Sequence, residues 1–171
     1  MKTLKPTLFL FALCAMLLTG MKCKKENLTK DDLPPVTQEG KKTFGCIVNG
    51  LILIPRTSSS SPPLTAEKGI NSYSIKVSSN LSNPGKQRLY LSFKKNASNQ
   101  IILDCITYYY EKYNGGTDYK ICQPFNYELN VNRLDYVNLI FSGTFSVDVP
   151  ATSNSPAFKI TDGRFDVKFP Y

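Results

Sequence analysis

The chain has 171 residues, 42% hydrophobic and 12% aromatic, which suits about one domain with a real core and excludes the low-hydrophobicity regime of disorder. Ten Phe and ten Tyr with no Trp, and no Ala-, Glu- and Leu-rich amphipathic run, lean the composition towards strands. The formal charge of +8 forms no Arg- or Lys-rich stripe, which argues against a nucleic-acid partner, and the absence of histidine removes His-dependent triads, Cys-His dyads, HExxH zinc sites and facial-triad iron sites together.

Lys2 and Lys5 precede eleven apolar residues, 8–18, which run into Thr19, Gly20 and Met21. A positive start with so short an apolar stretch reads as a secretory signal over residues 1–22, because a membrane-spanning helix needs about 20 apolar residues. Cys23 comes next. This N-terminus resembles that of bacterial lipoproteins, in which a Cys after such a stretch is lipidated and heads the mature chain. The resemblance implies lipidation at Cys23 and a membrane as partner. Lys22 and Gly20 stand where the lipoprotein pattern has a small and an aliphatic residue, so cleavage nearby by an ordinary signal peptidase is the alternative. Residues 23–42, broken by Pro34 and Pro35 and without periodic apolar positions, read as a tether, a flexible coil with a reach of about 25 Å. From residue 43 onward thirteen Lys and Arg face nine Asp and Glu, scattered as on a solvated surface.

The domain, residues 43–171, reads as a series of short strands. Residues 43–48 alternate, Asn49-Gly50 is a turn signal, and 51–54 complete a hairpin. Residues 56–68, rich in Ser and Pro, read as a loop. Residues 70–77 put Tyr73, Ile75 and Val77 on one face, and 87–93 answer with Leu89, Leu91 and Phe93. Residues 100–110 are apolar on both faces over part of their length, which predicts a central or doubly covered strand. A turn over 111–118 leads to 119–122, Pro124 interrupts, and 127–131 read as an edge strand. Residues 139–149 carry the longest clear alternation, with Leu139, Phe141, Gly143, Phe145, Val147 and Val149 on one side. Gly143 in that row suggests a bend, a bulge or a close backbone approach. Residues 157–161 and 164–169 read as a hairpin about Asp162-Gly163, with Lys159 opposite Asp166 and Ile160 opposite Phe165. About nine strands with hairpin-length connections predict an all-β fold, a single antiparallel β-sandwich in preference to a small barrel.

Cys105 and Cys122 flank the 111–118 turn, and export implies an oxidising compartment, so a disulfide between them is a candidate. A turn centred on Asn114-Gly115 would set them diagonally rather than opposite. Cys46 reads as a buried thiol. Tyr108, Tyr109, Tyr110, Tyr113, Tyr119 and Tyr127 crowd one hairpin. Of these Tyr108, Tyr110, Tyr113, Tyr119 and Tyr127 are the candidate surface for a glycan or protein partner, against the reading that alternate tyrosines pack in the core. Asp162, Gly163 and Asp166 lack calcium-loop spacing, so neither metal nor cofactor is expected. No pair among the remaining acids has a spacing that compels a general acid and base, and no enzymatic activity is expected.

TQEGKKTFGCIVNG at 37–50, LDYVNLIFSGTF at 134–145 and ITDGRFDVKF at 160–169 together resemble a family of small β-rich lipoproteins of Bacteroidota whose domain has no assigned function. The resemblance implies an outer-membrane lipoprotein, periplasmic or surface-exposed, and brings no catalytic residues. The expected function is a non-enzymatic interaction or binding module of the cell envelope. A sugar- or small-ligand-binding domain using the tyrosine-rich hairpin is the alternative.

Overall fold

The computed structural model describes residues 28–56, 62–81, 85–112, 115–151 and 156–170. Its ten strands are β1 (Thr43–Val48), β2 (Leu51–Leu53), β3 (Leu64–Lys68), β4 (Ser72–Asn80), β5 (Lys86–Lys95), β6 (Ile101–Lys112), β7 (Gly115–Cys122), β8 (Asn126–Asp135), β9 (Ile140–Val149) and β10 (Phe158–Lys168). They form two five-stranded antiparallel sheets, one ordered β2-β1-β10-β9-β8 and the other β3-β4-β5-β6-β7. The sheets pack face to face as a sandwich, and no barrel closes.

Alternation fixes which side chains fill the layer between the sheets. Tyr73, Ile75 and Val77 of β4 and Leu89, Leu91 and Phe93 of β5 are buried and in register with one another. They meet Phe141, Phe145 and Val147 of β9 and Phe165 and Val167 of β10 from the other sheet. At one end Phe93, Phe141 and Phe165 form an aromatic cluster, with Phe141 and Phe165 centred 4.7 Å apart. Each such ring removed from water contributes about 1.5–3 kcal/mol, so this layer is the main driving force of the fold.

Four expectations need correction. Residues 64–68 are strand β3 rather than loop; Leu64 and Ala66 face inward and pair with Val77 and Ile75, a two-residue pattern too short to stand out beside Pro and Ser. Residues 158–168 are one strand rather than a hairpin, and Lys159 pairs with Asp148 while Asp166 pairs with Ser142 and Thr43. Asp162-Gly163 supplies a bulge: Asp162 has φ 53°, and one extra residue shifts the inward face from Phe158 and Ile160 to Phe165 and Val167. β6 is internal to its sheet without being apolar on both faces, because a bulge at Asp104 changes its phase and lets Leu103 and Ile106 both face the core. The β6–β7 pairing centres one residue earlier than expected, setting Cys105 opposite Cys122.

β9 and β10 exchange a pairing of glycine with phenylalanine. Gly143 lies opposite Phe165, and Gly163 opposite Phe145. A β-carbon on Gly143 would sit 2.5 Å from the Asn130 carbonyl oxygen and 2.9 Å from the Phe165 ring; on Gly163 it would sit 2.5 Å from the Phe145 carbonyl oxygen. The missing side chains leave room for the partner rings, which explains the glycine in the middle of the alternating run. Arg133 and Asp135 end β8, and residues 136–139 turn the chain into β9.

Residues 28–42 are not a free tether. A 3-10 turn at Lys30–Asp32 leads to Leu33, which is buried, and Leu33 and Pro34 lie over Gly45. Arg164 donates to the Pro34 carbonyl oxygen at 3.2 Å and Arg133 to that of Gln38 at 2.9 Å. Asp166, 1% exposed, accepts from the Thr37 hydroxyl at 2.7 Å and from the backbone N–H groups of Glu39, Gly40 and Lys41 at 3.0, 2.8 and 3.2 Å. The segment is a strap across the outer face of the β1-containing sheet. Residues 1–22 and Cys23 lie outside the described residues.

Candidate functional site

The tyrosines of the β6–β7 hairpin divide according to strand parity. Tyr108 points inward and is 2% exposed; its hydroxyl donates to the Gln87 side chain at 2.9 Å, whose own amide donates to the Ile52 carbonyl oxygen at 3.2 Å. Burial pushes the Tyr108 phenol well above its usual range. Tyr119 packs beside it, and both rings lie on Phe158, at 5.7 and 5.4 Å. Tyr110 is half-buried against the same core, and Tyr127 packs on Phe125 at 5.5 Å. Tyr113 lies outside the described residues. The structure thus brings Tyr108 and Tyr119 together, Tyr108 as a core ring that offers no surface to a ligand and Tyr119 half-buried against it. Tyr109 is the member that faces outward, with Arg88 over its ring at 5.5 Å and its hydroxyl donating to Glu111 at 3.0 Å.

Cys105 and Cys122 form a disulfide between directly opposed residues, with their Cα atoms 4.1 Å apart. A bond of this kind persists in an oxidising compartment and is consistent with an exported domain. Cys46 is fully buried, and desolvation holds its thiol far above the range in which a thiolate forms.

Several of the acids are engaged in structural contacts. Lys94 pairs with Asp104 at 2.6 Å, Lys86 with Glu111 at 3.5 Å, Lys159 with Asp148 at 3.3 Å and Lys30 with Asp162 at 2.8 Å. Asp166 is partly desolvated, but the Thr37 hydroxyl and three backbone N–H groups outweigh that cost and lower its pKa. Among the described residues no three His, Cys, Asp or Glu side chains converge as a metal site would require. A groove of about 620 Å³ runs between β3 and the end of β10, floored by Leu64, Ala66, Val167 and Phe169 with Lys42 and Lys168 at its rim.

The most unusual grouping is one that sequence reasoning missed. Tyr136, on the β8–β9 turn, places its hydroxyl 2.9 Å from that of Tyr73. Lys68 and Lys95 bring their ammonium groups to 5.4 and 5.5 Å from its ring centroid. Tyr73 is buried, and desolvation first, then its hydrogen bond with Tyr136, pushes its phenol up. That hydrogen bond, together with Lys95 and Lys68, lowers the Tyr136 phenol below its usual range. The turn is braced by Asp135, which accepts from the Val137 and Asn138 N–H groups, both at 2.9 Å, the Asn138 amide at 2.7 Å and the Arg133 guanidinium. These contacts, the Asn138 amide foremost, hold the Asp135 carboxyl well below its usual range. The local signal is the Asp135-x-x-Asn138 turn; the lysines come from distant strands, and no local pattern announces them.

No protein-family model matches this chain, and neither a curated protein nor a solved structure matches it.

Proposed function

We propose that the protein is a non-enzymatic, lipid-anchored module of the bacterial cell envelope that works by binding a partner. The observation that carries this reading is the aromatic core: Tyr108 is buried and, with the half-buried Tyr119, packs on Phe158, and several acids are held by lysines, an arginine and the strap. The disulfide supports the exported setting. The likeness of three segments to small Bacteroidota lipoproteins supports Cys23 as the lipidated residue and the outer membrane as the location. With the strap docked, five residues from Cys23 to Asn27 separate the lipid from the folded body, a span of at most about 17 Å. The domain then rides close to the membrane.

Intact-mass measurement of the membrane fraction tests the reading. The expected species begins at Cys23 and carries acyl mass, and Cys23→Ala abolishes it. An unmodified chain starting elsewhere would falsify the anchor.

A further inference from the structure

Lysine is an uncommon choice for a position that faces the core of a sandwich. The inward row of β3, Leu64 and Ala66, ends in an exposed Lys68, and that of β5, Leu89, Leu91 and Phe93, ends in a half-buried Lys95. Parity therefore aims both ammonium groups over the end of the inter-sheet layer, where they flank Tyr136. Among the described residues neither is paired with a carboxylate, whereas Lys94, the neighbour of Lys95, pairs with Asp104 at 2.6 Å. The Tyr73 and Tyr136 hydroxyls lie 2.9 Å apart and either can donate; with Tyr73 as the donor, the Tyr136 proton points outward to an anion.

The same two turns display aliphatic side chains to water. Ile70, two residues after Lys68, is 95% exposed, and Val137, next to Tyr136, is 85% exposed. Neither turn is loose. Gly69 N–H donates to the Ser72 carbonyl oxygen at 2.8 Å, Lys95 N–H to that of Asn71 at 3.0 Å, and Asp135 clamps the β8–β9 turn. Rigidly presented aliphatic side chains beside uncompensated cations match a surface that is anionic at its head and apolar behind it. A soluble phosphate would use the cations and leave Ile70 and Val137 without a role.

We propose that Lys68, Lys95 and the Tyr136 hydroxyl bind the phosphate of an anionic phospholipid headgroup at a membrane surface, with Ile70 and Val137 entering the layer beside it. The ammonium groups neutralise the phosphate, the phenol donates a hydrogen bond to it, and the aliphatic pair enters the acyl boundary.

Residue-resolved lysine acetylation of the full chain, reconstituted in vesicles and read by mass spectrometry, tests this. A carboxy-terminal hexahistidine tag on nickel-chelating lipid holds the chain to both kinds of vesicle, so the comparison is local and does not depend on Cys23. In phosphatidylglycerol vesicles, relative to phosphatidylcholine vesicles, acetylation of Lys68 and Lys95 should slow about fivefold, the effect of roughly 1 kcal/mol per basic residue. Lys76 and Lys120, on the outer face of the β4–β7 sheet, should not change. Replacing Ile70 and Val137 together by Ser, surface changes that leave the core intact, should abolish the protection. Equal rates in both vesicles would overturn the site. Equal slowing at Lys76 and Lys120 would reduce it to general charge adsorption, and equal protection by inorganic phosphate would make the ligand soluble; either result also overturns the proposal.

Discussion

Tyr108 and Tyr136 are phenols at opposite ends of one sandwich, and their surroundings give them opposite properties. Tyr108 sits beside Phe158, where β10 begins, and Tyr136 on the turn beside Ile140, which pairs with Lys168 where β10 ends. The first is surrounded by rings and hydrogen-bonded to a buried glutamine; its proton is held tightly. The second lies beside two ammonium groups and shares a hydrogen bond with another tyrosine; its proton is held loosely. The difference teaches that local density of tyrosine is a poor guide to chemistry. Cross-strand neighbours set the chemistry, and strand parity chooses those neighbours.

The largest effect expected from breaking this contrast is at the closed end. Tyr108→Ala should cost about 3–5 kcal/mol in urea unfolding, since a ring-sized cavity opens and Gln87 loses its partner. Tyr136→Ala in the same assay should cost about 1 kcal/mol or less, because its ring is half exposed. Equal costs would erase the distinction. Replacing Cys105 and Cys122 by Ser, which opens a link across 17 positions, should lower stability by about 3 kcal/mol and loosen the hairpin that carries Tyr108 and Tyr119.

Smaller effects belong to the strap, which joins the body nearer the open end. Asp166→Asn should cost about 2 kcal/mol and strip hydrogen-exchange protection from the amides of residues 39–41 while β4 keeps its own. The carboxyl titrates lower folded than unfolded, so its contribution is complete above its unfolded value of about 4 and lost as pH falls through the lower folded value. Amides 39–41 should therefore hold at pH 5 and open only in stronger acid; opening near neutral pH would contradict the assignment. Tyr136→Phe should change stability least. In an absorbance titration it should remove a phenol that ionises below the usual tyrosine range, whereas wild-type protein with no such phenol would sink the proposed asymmetry.

Alternation made β4, β5 and β9 legible, because half-buried strands write their inward face directly into every second residue. It misled wherever one extra residue changed the phase. Asp162-Gly163 has the composition of a hairpin turn, but β1 and β9 both pair with the strand that contains it, so the pair bulges instead of turning. Asp104 does the same within β6. The strap was illegible for another reason: its anchors are backbone amides meeting Asp166 some 125 residues away, and side-chain periodicity does not report them. Lys68, Lys95 and Tyr136 come from three separate strands and turns, so their convergence appears only with the register in hand.

The place of β10 has a consequence for the order in which the molecule can be made. It is the middle strand of its sheet, between β1 and β9, and it also carries the carboxylate that fastens the strap. Until residues 158–168 have been synthesised, β1 has only β2 beside it and the strap lacks the carboxylate that fastens it. The other sheet is different, since each of its strands pairs with the next in sequence and its meander can form as the chain emerges. Until β10 arrives, its half of the sandwich is two separate hairpins, β1–β2 and β8–β9. The strap, which precedes every strand in the sequence, is then among the last segments to be fixed in place.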